Sequence, residues 1–178
     1  MTEQLQRSEG SLALEAYWKS IRPEGGVPNR TDIVPADIPT LLPNILLMEA
    51  HPEPARKLHV RLAGTYLRDL WKIEPTGLDY LNFVPEGEKD EIYNGFVQAC
   101  KQPCGRWRQV ISNFADGGSV RVETTFFPLI NNKGTDPLVI VYVSVMTQTH
   151  HIQDGGPTHL ASYPAKAHWI DVGNGVPE

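Results

Sequence analysis

The sequence predicts an α+β fold in which five antiparallel strands form one sheet, with short helices on one face and an N-terminal helix on the other. Three observations support this prediction. Two strand-like segments precede a helical middle, three strand-like segments follow it, and an amphipathic segment comes before all of them. With 178 residues, the chain is long enough for one hydrophobic core and too short for two ordinary domains.

The N-terminal helix is predicted from the spacing of its apolar residues. Four of them recur at intervals of three or four positions and therefore share one helical face. This apolar stripe packs either on the chain's own domain or against a partner, including a second copy, and the sequence leaves both interpretations open. Residues 1–26 are thus predicted to form an amphipathic helix and a linker. The stripe, our candidate partner or dimer surface, consists of Leu14, Tyr17, Trp18 and Ile21.

A connector rich in proline, residues 27–43, leads into the first two strands. Its four prolines exclude a long helix, because proline lacks a backbone N–H and restricts the residue before it. Residues 45–48 form an apolar run that is typical of a buried strand, and residues 57–63 alternate between apolar and polar side chains. The short loop between these segments predicts an antiparallel hairpin.

The helical middle begins at Thr65 and ends near Pro103. A short helix after Thr65 is broken before Pro75, and a longer helix begins among the acidic residues of the segment 86–91. Carboxylates in a first turn complement the positive end of the helix dipole. We therefore interpret these acidic residues as part of a helix start and not as catalytic groups.

Three strands are predicted in the last third of the chain, at residues 106–112, 120–130 and 138–146. The third of these segments is apolar on both faces, which is typical of a central strand that is covered on both sides. The main domain is therefore predicted to span residues 27–148. The tail, residues 149–178, is poor in apolar residues, so we expect it to be flexible or to lie extended on the domain surface.

Charge and hydropathy limit the partners that we expect. The net charge is −5, and no segment collects the Lys and Arg residues that would neutralise phosphates, so nucleic acid is not an expected partner. The N-terminus lacks the apolar run of a secretory signal, and no segment approaches the ~20 apolar residues of a membrane helix. We therefore expect a cytoplasmic protein without membrane contact.

Several stretches of the sequence resemble a bacterial family of stand-alone PAS-like proteins, best known from alphaproteobacteria. The most specific of them joins a predicted strand to a short helix at residues 61–65. The resemblance implies a PAS-like fold and a sensory or regulatory role in signal transduction, with a small ligand or a protein partner and with dimerisation as an open alternative. The stretches are Arg30-Thr31-Asp32 with Pro35, Leu41-Leu42-Pro43, Arg61-Leu62-Ala63-Gly64-Thr65, Thr76-Gly77 and residues 170–177.

Eight residues are candidates for lining a ligand pocket. Six come from the helical middle, which a PAS-like arrangement would place against the sheet, and two come from strands. Ligand pockets are mostly apolar with a few fixed polar groups. Core packing is the alternative interpretation for the apolar candidates, and a structural ion pair is the alternative for the arginine. The candidates are Arg61, Leu67, Leu70, Trp71, Phe83, Tyr93, Phe96 and Tyr142.

No cofactor is assigned by the sequence, which carries no haem, flavin or metal signature. Cys100 and Cys104 are expected to be two reduced thiols and lie in no flavin-photosensor motif. Adjacent histidines such as His150 and His151 point to opposite sides of a strand, so we expect no metal site there. We therefore expect a binding module and not an enzyme. The alternatives are a small enzyme with a cupped-sheet cavity and an interaction scaffold without a ligand.

Overall fold

A computed structural model of the protein describes residues 7–148 and 157–178, apart from the side chains of residues 158–165. Helices and strands follow one another in the predicted order, which confirms the α+β prediction. The helices are Glu9–Ile21 (α1), Thr65–Trp71 (α2) and Lys89–Lys101 (α3). The strands are Ile45–His51 (β1), Lys57–Ala63 (β2), Gly105–Phe114 (β3), Ser119–Leu129 (β4), Leu138–Gln148 (β5) and Pro157–Ile170 (β6).

All six strands form one antiparallel sheet in the order β2-β1-β5-β4-β3-β6. The strand β5 lies between β1 and β4, as its two apolar faces predict. The sheet has one strand more than the predicted five, because β6 pairs with β3, for example at Arg106 and Trp169. The tail was predicted to be flexible or to lie extended on the domain surface, and its segment Pro157–Ile170 is extended. Pro164 lies within β6, and an interior proline is tolerated in a strand mainly at the edge of a sheet.

The two faces of the sheet carry separate hydrophobic cores. On one face, α2 and α3 pack against apolar residues of β1, β3, β4 and β5. On the other face, Leu14 and Trp18 of α1 pack with Trp107 and Phe127. The Trp18 and Phe127 rings stack with centroids 5.4 Å apart, and the Trp18 indole N–H donates to the Pro128 carbonyl at 2.7 Å. The predicted arrangement of helices on both faces is therefore confirmed.

The apolar stripe of α1 is divided between the sheet and the surface. Leu14 and Trp18 are buried in the chain's own core, so these two residues must be removed from the candidate partner surface. Tyr17 and Ile21 are half-buried, and the Tyr17 hydroxyl accepts the Val34 N–H at 2.8 Å. The physical reason is that the uncovered face of β4 and β5 is itself apolar and requires a helix to bury it.

The buried carboxylate of Glu123 in β4 holds α1 on the sheet. Glu123 is 1 % exposed and accepts the Ser8 N–H at 3.1 and 3.0 Å and the Trp107 indole N–H at 2.7 Å. Ser8 is the N-cap of α1, so the carboxylate also complements the positive end of the helix dipole. One carboxylate thus joins α1, β3 and β4.

The replacement Glu123→Gln is expected to lower the free energy of unfolding by about 2–3 kcal/mol, because buried hydrogen bonds to a charge are lost and an amide N–H₂ meets other donors. Urea denaturation measures this loss. The control is Glu9→Gln, which removes an exposed carboxylate from the same helical turn and is expected to leave the denaturation midpoint nearly unchanged. Equal midpoints for the two variants would contradict the anchoring role of Glu123.

Gly64 lies where the chain passes close to its own backbone, inside the segment 61–65. A Cβ at this position would lie 2.2 Å from the Pro43 carbonyl oxygen and 2.3 Å from that of Leu42. The Gly64 N–H also donates to the Ile45 carbonyl at 2.8 Å, which holds the start of α2 against β1. Only glycine fits here, because the atoms in the way belong to backbone that cannot rotate aside.

The variant Gly64→Ala is expected to lose about 1–3 kcal/mol of unfolding free energy through overpacking. Gly87→Ala is the matched control, because a Cβ at Gly87 meets no atom within 4 Å. Thermal or urea denaturation of both variants measures the difference. A Gly64→Ala protein as stable as the Gly87→Ala protein would show that the close approach imposes no constraint.

Candidate functional site

A small cavity lies between the sheet and the helices α2 and α3. Its volume is about 30 Å³, which is room for about two water molecules. Four strands and both helices contribute to its wall, together with a short 3-10 turn at Tyr80–Phe83. The apolar lining residues are Leu46, Met48, Trp71, Ile92, Phe96, Val110, Val122, Phe126, Val141 and Val143, and the polar ones are Tyr80, Arg108, Ser112 and Thr124.

Strand alternation explains why these side chains meet. Successive side chains of a strand point to opposite faces, so Arg108, Val110 and Ser112 of β3 all face the cavity. On α3, Ile92 and Phe96 are four residues apart and share one face. The Phe96 ring stacks on Phe126 with centroids 4.5 Å apart, which closes one side of the cavity.

Arg108 is the charged residue of the cavity wall. It is only 5 % exposed, and burial lowers the pKa of its guanidinium, although an arginine remains charged at any physiological pH. One terminal nitrogen, Nη2, reaches Glu91 Oε2 at 3.4 Å. Its Nε is buried and has no hydrogen-bond acceptor among the described residues. A positive charge therefore stands at an apolar wall with incomplete compensation.

Glu91 of α3 lies at the rim of the cavity. Its side chain is 45 % exposed, and its Oε1 accepts a shorter hydrogen bond from Arg106 Nη2 at 2.6 Å. The Arg106 guanidinium in turn lies over the Trp169 ring, 4.6 Å from its centroid. Glu91 thus has a primary partner other than Arg108, and the rim connects α3 to β3 and β6.

Tyr80 brings a hydroxyl to the same wall. Burial raises the pKa of Tyr80 to about 12, so the hydroxyl keeps its proton at physiological pH. Ser112 and Thr124 add two aliphatic hydroxyls. The cavity thus combines one guanidinium and three hydroxyl groups with walls that are otherwise apolar, which is the composition of a small-molecule site.

A sheet covered by helices with such a cavity between them agrees with the comparison to known families. Residues 6–143 match the sequence profile of the PAS domain family. The chain belongs to this family. The predicted PAS-like fold and family are therefore confirmed, and the protein is a PAS-type sensory or regulatory module. A search of curated proteins gave no match to the chain.

Two of the eight predicted pocket residues, Trp71 and Phe96, line the cavity of this PAS domain. Four others belong to the same core but do not reach the cavity. Tyr93 instead donates its hydroxyl hydrogen to the His51 carbonyl at 2.9 Å, which ties α3 to β1. The pocket prediction must be corrected for these four, since they fill the space around the cavity: Leu67, Leu70, Phe83 and Tyr93.

Arg61 and Tyr142 lie on the opposite face of the sheet, so the pocket prediction is wrong for both. Arg61 forms an ion pair with Glu49 at 3.3 Å across β1 and β2, which is the structural alternative that the sequence left open. Tyr142 packs against α1, where a Cβ on Gly10 would lie 2.0 Å from its hydroxyl oxygen. The prediction failed for Tyr142 because β5 is apolar on both faces, so its sequence does not indicate which residues point to the cavity.

The polar residues of the cavity, above all Arg108, were not predicted. The signal was present in β3, where alternation places Arg108 on the same face as Val110. A charged residue in the inward register of a buried strand is unusual and points to a function or to a buried ion pair. Tyr80 carried no such signal, because the irregular segment around it has no period.

A second polar cluster lies on the outer face of β1. Ligand atoms of Glu49, His51 and Asp136 lie within 4.8 Å of one another, which is close enough to hold a metal ion. His51 Nδ1 is 2.7 Å from Asp136 Oδ2, and Asn131 donates to Glu49 Oε1 at 2.6 Å. Because these groups already satisfy one another, the cluster is explained as a polar network. His150 and His151 lie outside the described residues.

Within the parts of the chain that the structure describes, none of the helices is long and apolar enough to cross a membrane. The thiols of this PAS domain are shielded. Burial raises the pKa of Cys100 to about 12 and that of Cys104 to about 11.

We predict that neither thiol of the folded protein reacts with Ellman's reagent at pH 8, because about one thiol in a thousand or fewer is ionised there. The urea-denatured protein, in which both thiols are exposed, is the control and should release two equivalents of product. Reaction of either cysteine in the folded state at the denatured rate would contradict the burial of these thiols.

Proposed function

We propose that this PAS domain senses a small molecule in the cavity beside Arg108 and passes the occupied state to a protein partner in bacterial signal transduction. The observation that carries the proposal is the composition of the cavity, which has apolar walls and four inward polar side chains. A wall whose only role is core packing has no need of Arg108, whose buried Nε has no acceptor among the described residues, since a buried charge costs free energy unless it is paired and hydrogen-bonded.

A path for the signal is supported by the two faces of β4. Val122, Thr124 and Phe126 line the cavity. The alternate residues Glu123 and Thr125 face α1, where Glu123 holds the N-cap and the Thr125 hydroxyl is hydrogen-bonded to Ser11. A displacement of β4 by a ligand would therefore reach α1 directly.

On the outer side of α1, the Leu12 side chain is 51 % exposed, which supports a contact there with a partner, including a second copy of the chain.

Binding is favoured over catalysis by the chemistry of the wall. Among the described lining residues there is no histidine and no carboxylate, the groups that most often transfer protons in enzymes. We accordingly propose a non-enzymatic role. We also propose the cytoplasmic location that is expected from the sequence.

A scaffold that binds only proteins is the second candidate. The cavity volume of about 30 Å³ favours it, because PAS-type signalling through a filled core requires no ligand space. The two functions differ in a simple outcome: a sensor binds a small molecule in the cavity, and a scaffold does not.

Titration with acetone, acetamide, ethanol and acetate, observed by methyl NMR, tests the sensor proposal. We expect at least one of these probes to shift the methyl signals of Val110, Val122 and Met48 in a saturable manner. The variant Val141→Phe, which fills the cavity, should abolish the shifts. Val34→Phe, at an exposed position, is the matched control and should keep them. If no probe gives saturable shifts at the cavity, the sensor proposal fails and the scaffold remains.

A further inference from the structure

We propose that the cavity recognises a small monocarboxylate of about the size of acetate, with its carboxylate on the guanidinium of Arg108 and its alkyl group against the apolar wall. This inference rests on the proposed sensor function and specifies the chemical class of the ligand.

The first argument is the charge of Arg108. A buried cation is stable only when it is paired and hydrogen-bonded. Among the described residues, the carboxylate in contact with Arg108 is Glu91, at 3.4 Å, and this carboxylate is half exposed and closer to Arg106 at 2.6 Å. The charge of Glu88 also acts on Arg108. The cavity beside Arg108 therefore favours an anion that is closer and better shielded from water than Glu91.

The second argument is the guanidinium edge that is only partly used. Carboxylates bind arginine with two parallel hydrogen bonds, and one of the edges that offers two N–H groups is formed by Nε and Nη2. In Arg108 the Nε has no acceptor among the described residues, and Nη2 has the long contact of 3.4 Å to Glu91. A planar carboxylate satisfies this edge, whereas a neutral ligand leaves the charge uncompensated.

The third argument is the remainder of the wall. Thr124 brings a hydroxyl group that is able to donate to a carboxylate oxygen, and Val110 and Val122 offer an apolar surface to a methyl group. A volume of about 30 Å³ corresponds to about two water molecules, so acetate, with four non-hydrogen atoms, is the upper limit of size and enters only with a small outward shift of the wall. Phosphate and dicarboxylates are disfavoured, because their second charge would have no counter-charge at this wall.

The test compares sodium acetate with acetamide and sodium nitrate on the unaltered protein at constant ionic strength, by methyl NMR of Val110 and Val122. Acetamide has the shape of acetate without its charge, and nitrate is a planar anion without the methyl group. We expect acetate to bind about tenfold more tightly than either. Acetamide binding as tightly as acetate overturns the charged class, and equal binding of nitrate overturns the carboxylate class.

Three variants locate the anion. We expect Arg108→Gln to weaken acetate binding at least about tenfold, while Arg121→Gln, at an exposed position on β4, leaves it unchanged. Glu91→Gln should strengthen it, because the competing carboxylate is removed. Unchanged binding in Arg108→Gln, or weaker binding in Glu91→Gln, overturns the proposal. If acetone or acetamide binds in the cavity and acetate does not, the inference fails and the sensor function stands; if no probe binds, both fail.

Discussion

The structure depends on β4 being anchored on one face and left incompletely filled on the other. Glu123 accepts hydrogen bonds from the N-cap of α1 and from the Trp107 indole, and its burial makes these contacts strong. The residues on either side of it, Val122 and Thr124, face the cavity. One strand thus carries both the cavity wall and the groups that hold α1, and this connection supports the proposed signal path.

Two buried charges of opposite sign illustrate how a structural role differs from a binding role. The Glu123 carboxylate accepts hydrogen bonds from two groups of the chain. The Ser8 N–H contacts both of its oxygens, and the Trp107 indole N–H contacts one of them. Its negative charge also lies at the positive end of a helix dipole. Among the described residues, Arg108 Nη2 has a long contact to Glu91 at 3.4 Å, and the buried Nε has no acceptor. The first charge is compensated within the fold. The second is compensated only in part, and this is the physical basis of the proposed anion site.

Periodic features of the sequence predicted the fold well, and its irregular features did not. The helical stripe of Leu14 and Trp18 and the two apolar faces of β5 led to the correct layers. The edge strand β6 was missed because it contains a proline and few apolar residues, and because its backbone pairing with β3 leaves no periodic signal. Within the site, Trp71 and Phe96 were predicted by their place in the helical middle. Arg108 was missed although the alternation of β3 predicted its face, because which strand arginine reaches the cavity depends on which face of the sheet is covered.

The proposal to be tested is that a ligand in the cavity changes the contacts of α1 by displacing β4. The Trp107 indole N–H, which donates to Glu123 at 2.7 Å, reports on the opposite face of the sheet from the cavity. We predict that acetate at saturating concentration shifts the Trp107 indole signal and the Ser8 amide signal in ¹H–¹⁵N spectra, and that Arg108→Gln abolishes both shifts. If acetate shifts the methyl signals of Val110 and Val122 while the Trp107 and Ser8 signals stay in place, the cavity and α1 are not coupled and the proposed path through β4 is contradicted.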